Sequence, residues 1–287
     1  MTERFRKLIL VLLAVLMLML SGCRNRKPEP QGNEDPQGSA LIEEDDGHEE
    51  TDDPQGTAVI EEDTENPEVF GEFQLLKLGN LQYYLYVPAN AQKGMALIMY
   101  LHGSSNRSLD VQDLIANEGF TLYLSRGDYG DLRAFVLIPK LEKEQNWTDI
   151  ASDLKDLITK THSDYDINLN RVSLTGHSLG GTATYQLQIL MPGIFACIAP
   201  LSGSVAASDH NLQALAQTRV WAFVGSADTV VDPAGSREII SALTQMGSFA
   251  HLTEYPEAGH RDIPALAYKT GNLLDWLISG GTVPVQE

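Results

Sequence analysis

The chain has 287 residues, a formal net charge of −19 and two cysteines, Cys23 and Cys197. Two cysteines allow neither a disulfide framework nor a CxxC-type metal site, so the fold must rest on an ordinary hydrophobic core. No metal, no cofactor and no nucleic-acid partner is expected, and the oligomeric state is not legible in the sequence.

The chain opens MTERFRKLILVLLAVLMLMLSGC, with Arg4, Arg6 and Lys7 ahead of 13 apolar residues from Leu8 to Leu20. A basic start, a short apolar run and then small residues make a secretion signal rather than a fold element. The run is shorter than the roughly 20 residues a membrane-spanning helix needs. Leu20-Ser21-Gly22-Cys23 resembles the bacterial lipobox, whose chemistry is diacylglycerol transfer to the cysteine thiol and cleavage in front of it. Residues 1–22 are therefore expected to be a lipoprotein signal peptide. Cys23 is expected to carry the lipid and to hold the protein extracytoplasmically at a cell membrane or surface.

Residues 24–70 carry 16 acidic and 3 basic side chains, so most of the chain's negative charge is local. Within them DPQGSALIEED at 35–45 recurs as DPQGTAVIEED at 53–63, a period of 18. Two copies separated by more acid do not bury a continuous core. Low hydrophobicity with high like charge predicts an acidic, disordered tether over 23–70. A binding segment for cations or a basic partner is the alternative.

Globular composition begins near Phe70 and leaves one domain over 71–287. Apolar, β-rich runs fall at 73–78, 81–87, 95–101, 134–138, 172–175, 195–201 and 220–224. Helical patterns fall at 110–117, 147–161, 178–190, 235–245 and 263–278. This alternation predicts an α/β fold with a mostly parallel sheet covered on both faces. The first two runs, joined by Gly79-Asn80, predict an antiparallel hairpin at the sheet edge. Cys197 lies in the apolar run IFACIAPL and reads as a buried free thiol.

The segment RVSLTGHSLGGTATYQL at 171–187 sets Ser178 between glycines at the junction of a strand and a helix. A G-x-S-x-G pattern is weak alone and gains meaning from that junction. There the serine is held in a strained conformation, glycines at 176, 180 and 181 relieve the crowding, and the Leu179 N–H is placed to meet an oxyanion. A serine hydroxyl needs a base, and the elbow arrangement demands the order nucleophile, acid, base. VGSADTVVDP supplies Asp228 just past a strand, and EAGHRD supplies His260. Asp232 is the competing acid; Asp228 is preferred because it follows its strand directly. His210 precedes the acid, His251 sits in a strand-like run, and His177 points away from the hydroxyl beside it. A second oxyanion donor is expected from LHGSS, at the Ser104 N–H, with His102 packing beneath the loop.

The stretches LHGSS, NWTDIASDLKDLI, DINLNRVSLTGHSLGGTATYQLQILMPGIFACIAPLSG, VGSADTVVD and AGH together resemble the α/β-hydrolase superfamily. More narrowly they are similar to its compact esterases, which include feruloyl and acetylxylan esterases, polyhydroxybutyrate depolymerases and predicted small peptidases. The resemblance implies Ser178 as nucleophile, Asp228 as acid, His260 as base, and Leu179 and Ser104 as the oxyanion hole. It implies a serine esterase acting on a small-molecule or polysaccharide ester. Trp147 matches a tryptophan common in relatives, as a pocket wall or as core. Ser104-Ser105 departs from the glycine or cysteine of many relatives, which leaves the second donor open. A serine peptidase or acyltransferase on the same fold, or a non-catalytic surface binding lipoprotein, are the alternative functions.

Overall fold

The computed structural model describes residues 70–286 apart from Glu118 and Thr270. The expected signal peptide, Cys23 and the acidic repeat lie outside the described residues. No helix among the described residues is long and apolar enough to cross a membrane.

The strands are β1 (Glu72–Leu78), β2 (Leu81–Val87), β3 (Ala96–Leu101), β4 (Ala134–Pro139), β5 (Val172–His177), β6 (Cys197–Leu201), β7 (Arg219–Gly225) and β8 (Ala250–Tyr255). They form one eight-stranded sheet in the order β1-β2-β4-β3-β5-β6-β7-β8. β1 pairs antiparallel with β2, and β2 antiparallel with β4. Every pairing from β4 through β8 is parallel. The hairpin expected at the edge is thus present, and it joins a parallel sheet.

β3 to β6 are buried along their whole length, as is β7 beyond Arg219. That explains why they read as continuous apolar runs: a parallel strand covered on both faces has no side to leave polar. Their side chains still alternate. Leu97, Met99 and Leu101 enter one core, while Ile98 and Tyr100 enter the other.

The helices are α1 (Leu114–Asn117), α2 (Gly119–Ser125), α3 (Ala151–Tyr165), α4 (Leu179–Leu190), α5 (Asp209–Leu215), α6 (Ala234–Gln245), α7 (Ile263–Lys269) and α8 (Leu273–Ile278). Leu154 and Leu157 of α3, Tyr185 and Leu187 of α4, Leu215 of α5 and Ile239 and Leu243 of α6 fill the first core. Phe120 of α2, Tyr268 of α7 and Trp276 of α8 fill the second. Cys197 is a buried free thiol, and burial pushes it up to about 12.

The helix expected over 263–278 is two helices, α7 and α8, separated around Gly271 at φ +69°. The expected helix at 110–117 opens as a 3-10 turn, Val111–Asp113, before α1. α2 and α5 were not anticipated, because seven residues make fewer than two turns and show no period.

The chain runs from β3 outward to β4 and then returns across β3 to β5. The order therefore reverses between β3 and β5, the switch point where α/β sheets hold ligands beyond the carboxyl ends of their strands.

Candidate active site

β5 ends at His177 and α4 begins at Leu179, so the whole reversal falls on Ser178. Its backbone lies at φ 60°, ψ −116°, a conformation that costs a non-glycine residue on the order of 1–3 kcal/mol. The turn is held by the Ser178 N–H donating to the Leu201 carbonyl at 3.0 Å and by the Thr182 N–H donating to the Ser178 carbonyl at 2.9 Å. The Ser178 hydroxyl does not cap the helix. It is left for other partners.

The flanking glycines are required by contact, since none of the three takes a positive φ. A Cβ on Gly180 would run into the Leu101 carbonyl at the end of β3, and one on Gly176 would meet the same oxygen. The elbow thus sits directly on the strand end that leads into the Ser104 turn, and Leu101 pairs with Gly176 in the sheet. Ser104 opens a 3-10 turn, Ser104–Ser108, behind Gly103. The Leu179 N–H, as the first of α4, has no intrahelical acceptor. Both amides expected to face an oxyanion therefore arise at neighbouring strand ends.

Asp228 and His260 come together from the loops after β7 and β8. His260 Nδ1–H donates to Asp228 Oδ2 at 2.8 Å, with the carboxylate side chain fully buried and the imidazole 12% exposed. Asp228 Oδ1 accepts from the Val230 and Val231 amides at 2.8 and 2.9 Å. Burial alone would raise the Asp228 pKa. The two amides and His260 outweigh it and hold the carboxyl below its ordinary value. The Ser202 hydroxyl, buried at a residue with φ 45° and lacking a well-formed hydrogen bond, also favours the charged form. With Nδ1 committed to Asp228, the neutral imidazole presents Nε2 as a proton acceptor.

The loops are tied to each other as well. The Ala227 N–H donates to Ala258 O at 3.0 Å, the Glu257 N–H to Ser226 Oγ at 2.8 Å, and the Gly259 N–H to Asp262 Oδ2 at 2.8 Å. No hydrogen bond joins Ser178 to His260 among the described residues. Such bonds commonly tighten only when substrate is bound.

The competing residues go elsewhere. Asp232 Oδ1 accepts from the Ala234 N–H at 2.9 Å, at the start of α6. His210 lies exposed on α5, and His251 sits in β8 against Trp221. Trp147 is buried and donates from Nε1 to the His102 carbonyl at 3.3 Å, a core position. His102 packs on Trp147 with ring centroids 4.9 Å apart.

Two residues, His177 and Ser202, have closer ties to the site than their sequence positions suggest. His177, expected to point away from the Ser178 hydroxyl, contacts His260: Nε2–H donates to the His260 carbonyl at 2.9 Å, and the two rings lie 4.6 Å apart. Burial, reinforced by the neighbouring His260, lowers its pKa to about 4. Ser202 carries no sequence signal, since it follows an apolar strand where a loop residue is ordinarily solvated.

An eight-stranded, mostly parallel sheet with a strained serine elbow and a buried Asp–His pair after the last two strands defines an α/β-hydrolase. Residues 81–261 match the family model of the dienelactone hydrolase family, and the chain belongs to that family. A bifunctional acetylxylan esterase/xylanase of Neocallimastix patriciarum is 26% identical over 130 residues, which cover 42% of this chain and 17% of that protein's length. Among solved structures, a thermostable esterase superposes with a TM-score of 0.62 at 23% identity, covering 73% of this chain and 62% of the other. A feruloyl esterase module of Clostridium thermocellum complexed with sinapinate gives a TM-score of 0.54 at 14% identity, covering 74% and 86%.

Proposed function

We propose that the protein is a serine esterase. Ser178 Oγ attacks the ester carbonyl while His260 Nε2 takes its proton, and Asp228 holds the imidazole and stabilises its positive charge. The Leu179 and Ser104 amides receive the oxyanion. The carbon–oxygen bond to the alcohol breaks, and the alcohol leaves with the proton from His260. Water, deprotonated by the same histidine, then releases the acid and restores Ser178.

The observation that carries this function is the 2.8 Å Asp228–His260 hydrogen bond, joined to the strained Ser178 elbow by the hydrogen bond from neighbouring His177 to the His260 carbonyl. Similarity to proteins named for acetylxylan and feruloyl ester hydrolysis supports an acetyl or aryl-acyl ester borne on a polysaccharide as substrate. Ser178→Ala is expected to abolish turnover of a short aryl ester and labelling by a fluorophosphonate probe. An unchanged rate would end the proposal. Preference for a peptide amide over every ester would make the enzyme a peptidase instead.

For location, lipid attachment at Cys23 is proposed on the strength of the Leu20-Ser21-Gly22-Cys23 sequence. Metabolic labelling with a fatty acid is expected to be lost in Cys23→Ala, and retained labelling would refute the anchor.

A further inference from the structure

We propose that Lys140 and His102 form a buried clamp that aims the Ser104 amide, and that these two positioning residues set the strength of the oxyanion hole. The inference rests on the esterase function proposed above and concerns residues that function does not use.

The Gly103 carbonyl and the Ser104 N–H belong to one planar peptide group and point to opposite sides of it. Whatever fixes the carbonyl therefore fixes the direction of the N–H. His102 Nδ1–H donates to Gly103 O at 2.9 Å, and the Asn106 N–H reaches the same oxygen at 3.3 Å. On the other side of the ring, the Leu141 N–H donates to His102 Nε2 at 3.1 Å. A carbonyl only accepts and an amide N–H only donates, so the two partners admit a single form of His102: neutral, with its proton on Nδ1. Burial, against the opposing pull of the Gly103 carbonyl, lowers its pKa to about 4.

Lys140 grips the other end of the same turn. Its ammonium donates to the Arg107 carbonyl and to the Leu141 carbonyl, each at 2.8 Å, while its own N–H is held by Gln82 O at 2.9 Å. The pair 140–141 at the end of β4 thus holds the Ser104–Ser108 turn twice, through Arg107 O at its far end and through His102 at Gly103. Lys140 is only 4% exposed, and its hydrogen bonds go to backbone carbonyls rather than to a carboxylate. Burial disfavours the ammonium and lowers its pKa, against the opposing pull of the Glu142 and Asp110 carboxylates, so the two carbonyls supply hydrogen bonds that the buried charge requires. A shorter or apolar side chain could not satisfy those carbonyls, and they frame the turn that carries the Ser104 amide.

Kinetics of the full chain on p-nitrophenyl acetate, with imidazole 15N spectra, test the clamp. In folded Lys140→Met and His102→Phe, kcat is expected to fall about tenfold to a hundredfold, somewhat less than outright loss of an oxyanion donor, with KM within about twofold. The double variant is expected to lose no more than the worse single one, since the two act as a unit. His102→Gln, whose carboxamide can both accept from Leu141 and donate to Gly103, is expected to recover most of the rate, a rescue that mere space-filling does not give. Unchanged kcat in both single variants, equal impairment of Gln and Phe at 102, or a rise in KM in place of the fall in kcat would overturn the clamp. In the wild-type protein His102 is expected to carry its proton on Nδ1, and the Ser104 amide resonance to shift in Lys140→Met. A proton on Nε2, or an unmoved resonance, would overturn the clamp even if His102→Phe failed to fold. Wild-type protein that turned over no ester would defeat the esterase proposal alone, and the spectra would still decide the clamp.

Discussion

His177 donates from Nε2 to the backbone carbonyl of His260 at 2.9 Å and lays its ring 4.6 Å from the His260 imidazole. The residue beside Ser178 in sequence is therefore tied to His260, the proposed base, in space. His177→Leu removes the donor and keeps an apolar side chain, and kcat is expected to fall about tenfold to a hundredfold with little change in KM. His177→Gln restores a donor and is expected to stay within a few-fold of the wild type. Equal rates for the two variants would show that the contact only fills space.

Asp228 and Asp232 lie four residues apart in sequence and have different partners, one bonded to His260 and the other to the start of α6. Asp228→Asn is expected to lower kcat by about 10⁴-fold, because an amide facing Nδ1 favours the wrong tautomer of His260. Asp232→Asn is expected to leave kcat near that of the wild type and to change stability by no more than about 1 kcal/mol, as for a helix-capping contact. A large kcat defect in Asp232→Asn would reassign the acid.

Stability is expected to fall as pH drops from neutrality. Burial lowers both His102 and His177 to about 4, whereas an unfolded histidine titrates near about 6.5. Between those values the unfolded chain binds protons that the folded chain refuses. The stabilisation is thus complete above about pH 6.5 and is lost as pH falls to about 4, on the order of 3 kcal/mol for each histidine. Asp228 acts in the same direction at lower pH. Its contribution is present above the ordinary carboxylate value and is lost as pH falls through its depressed folded value. Urea unfolding at pH 7, 5.5 and 4 measures this, and His177→Gln is expected to show a shallower loss. A stability independent of pH over that range would contradict the burial of both rings as neutral groups.

Gly180 marks the closest approach between the elbow and β3. The Cβ of Gly180→Ala would meet the Leu101 carbonyl, which is backbone and has no rotamer to move. The variant is expected to lose about 1–3 kcal/mol of stability or to fail to fold, together with its esterase activity. Wild-type urea midpoint and rate in Gly180→Ala would show that the elbow has room to spare.

The sequence by itself determined the layered α/β fold and the position of the elbow. A parallel strand buried on both faces must be written as one apolar run, and a serine between a β-run and a helix with glycines at 176 and 180 is a local pattern. Likewise the order Ser178, Asp228, His260 can be read along the chain. Tertiary structure decided what depends on partners distant in sequence. His260 bonds Asp228 across 32 residues and His177 across 83, while Leu141 bonds His102 across 39. No periodicity records such pairings, so the sequence shows His177 only as the neighbour of Ser178 and singles out nothing at Lys140. The break at Gly271 was hidden for a related reason. Apolar residues on either side of it face the same core, and a helical stripe looks the same whether one helix carries it or two.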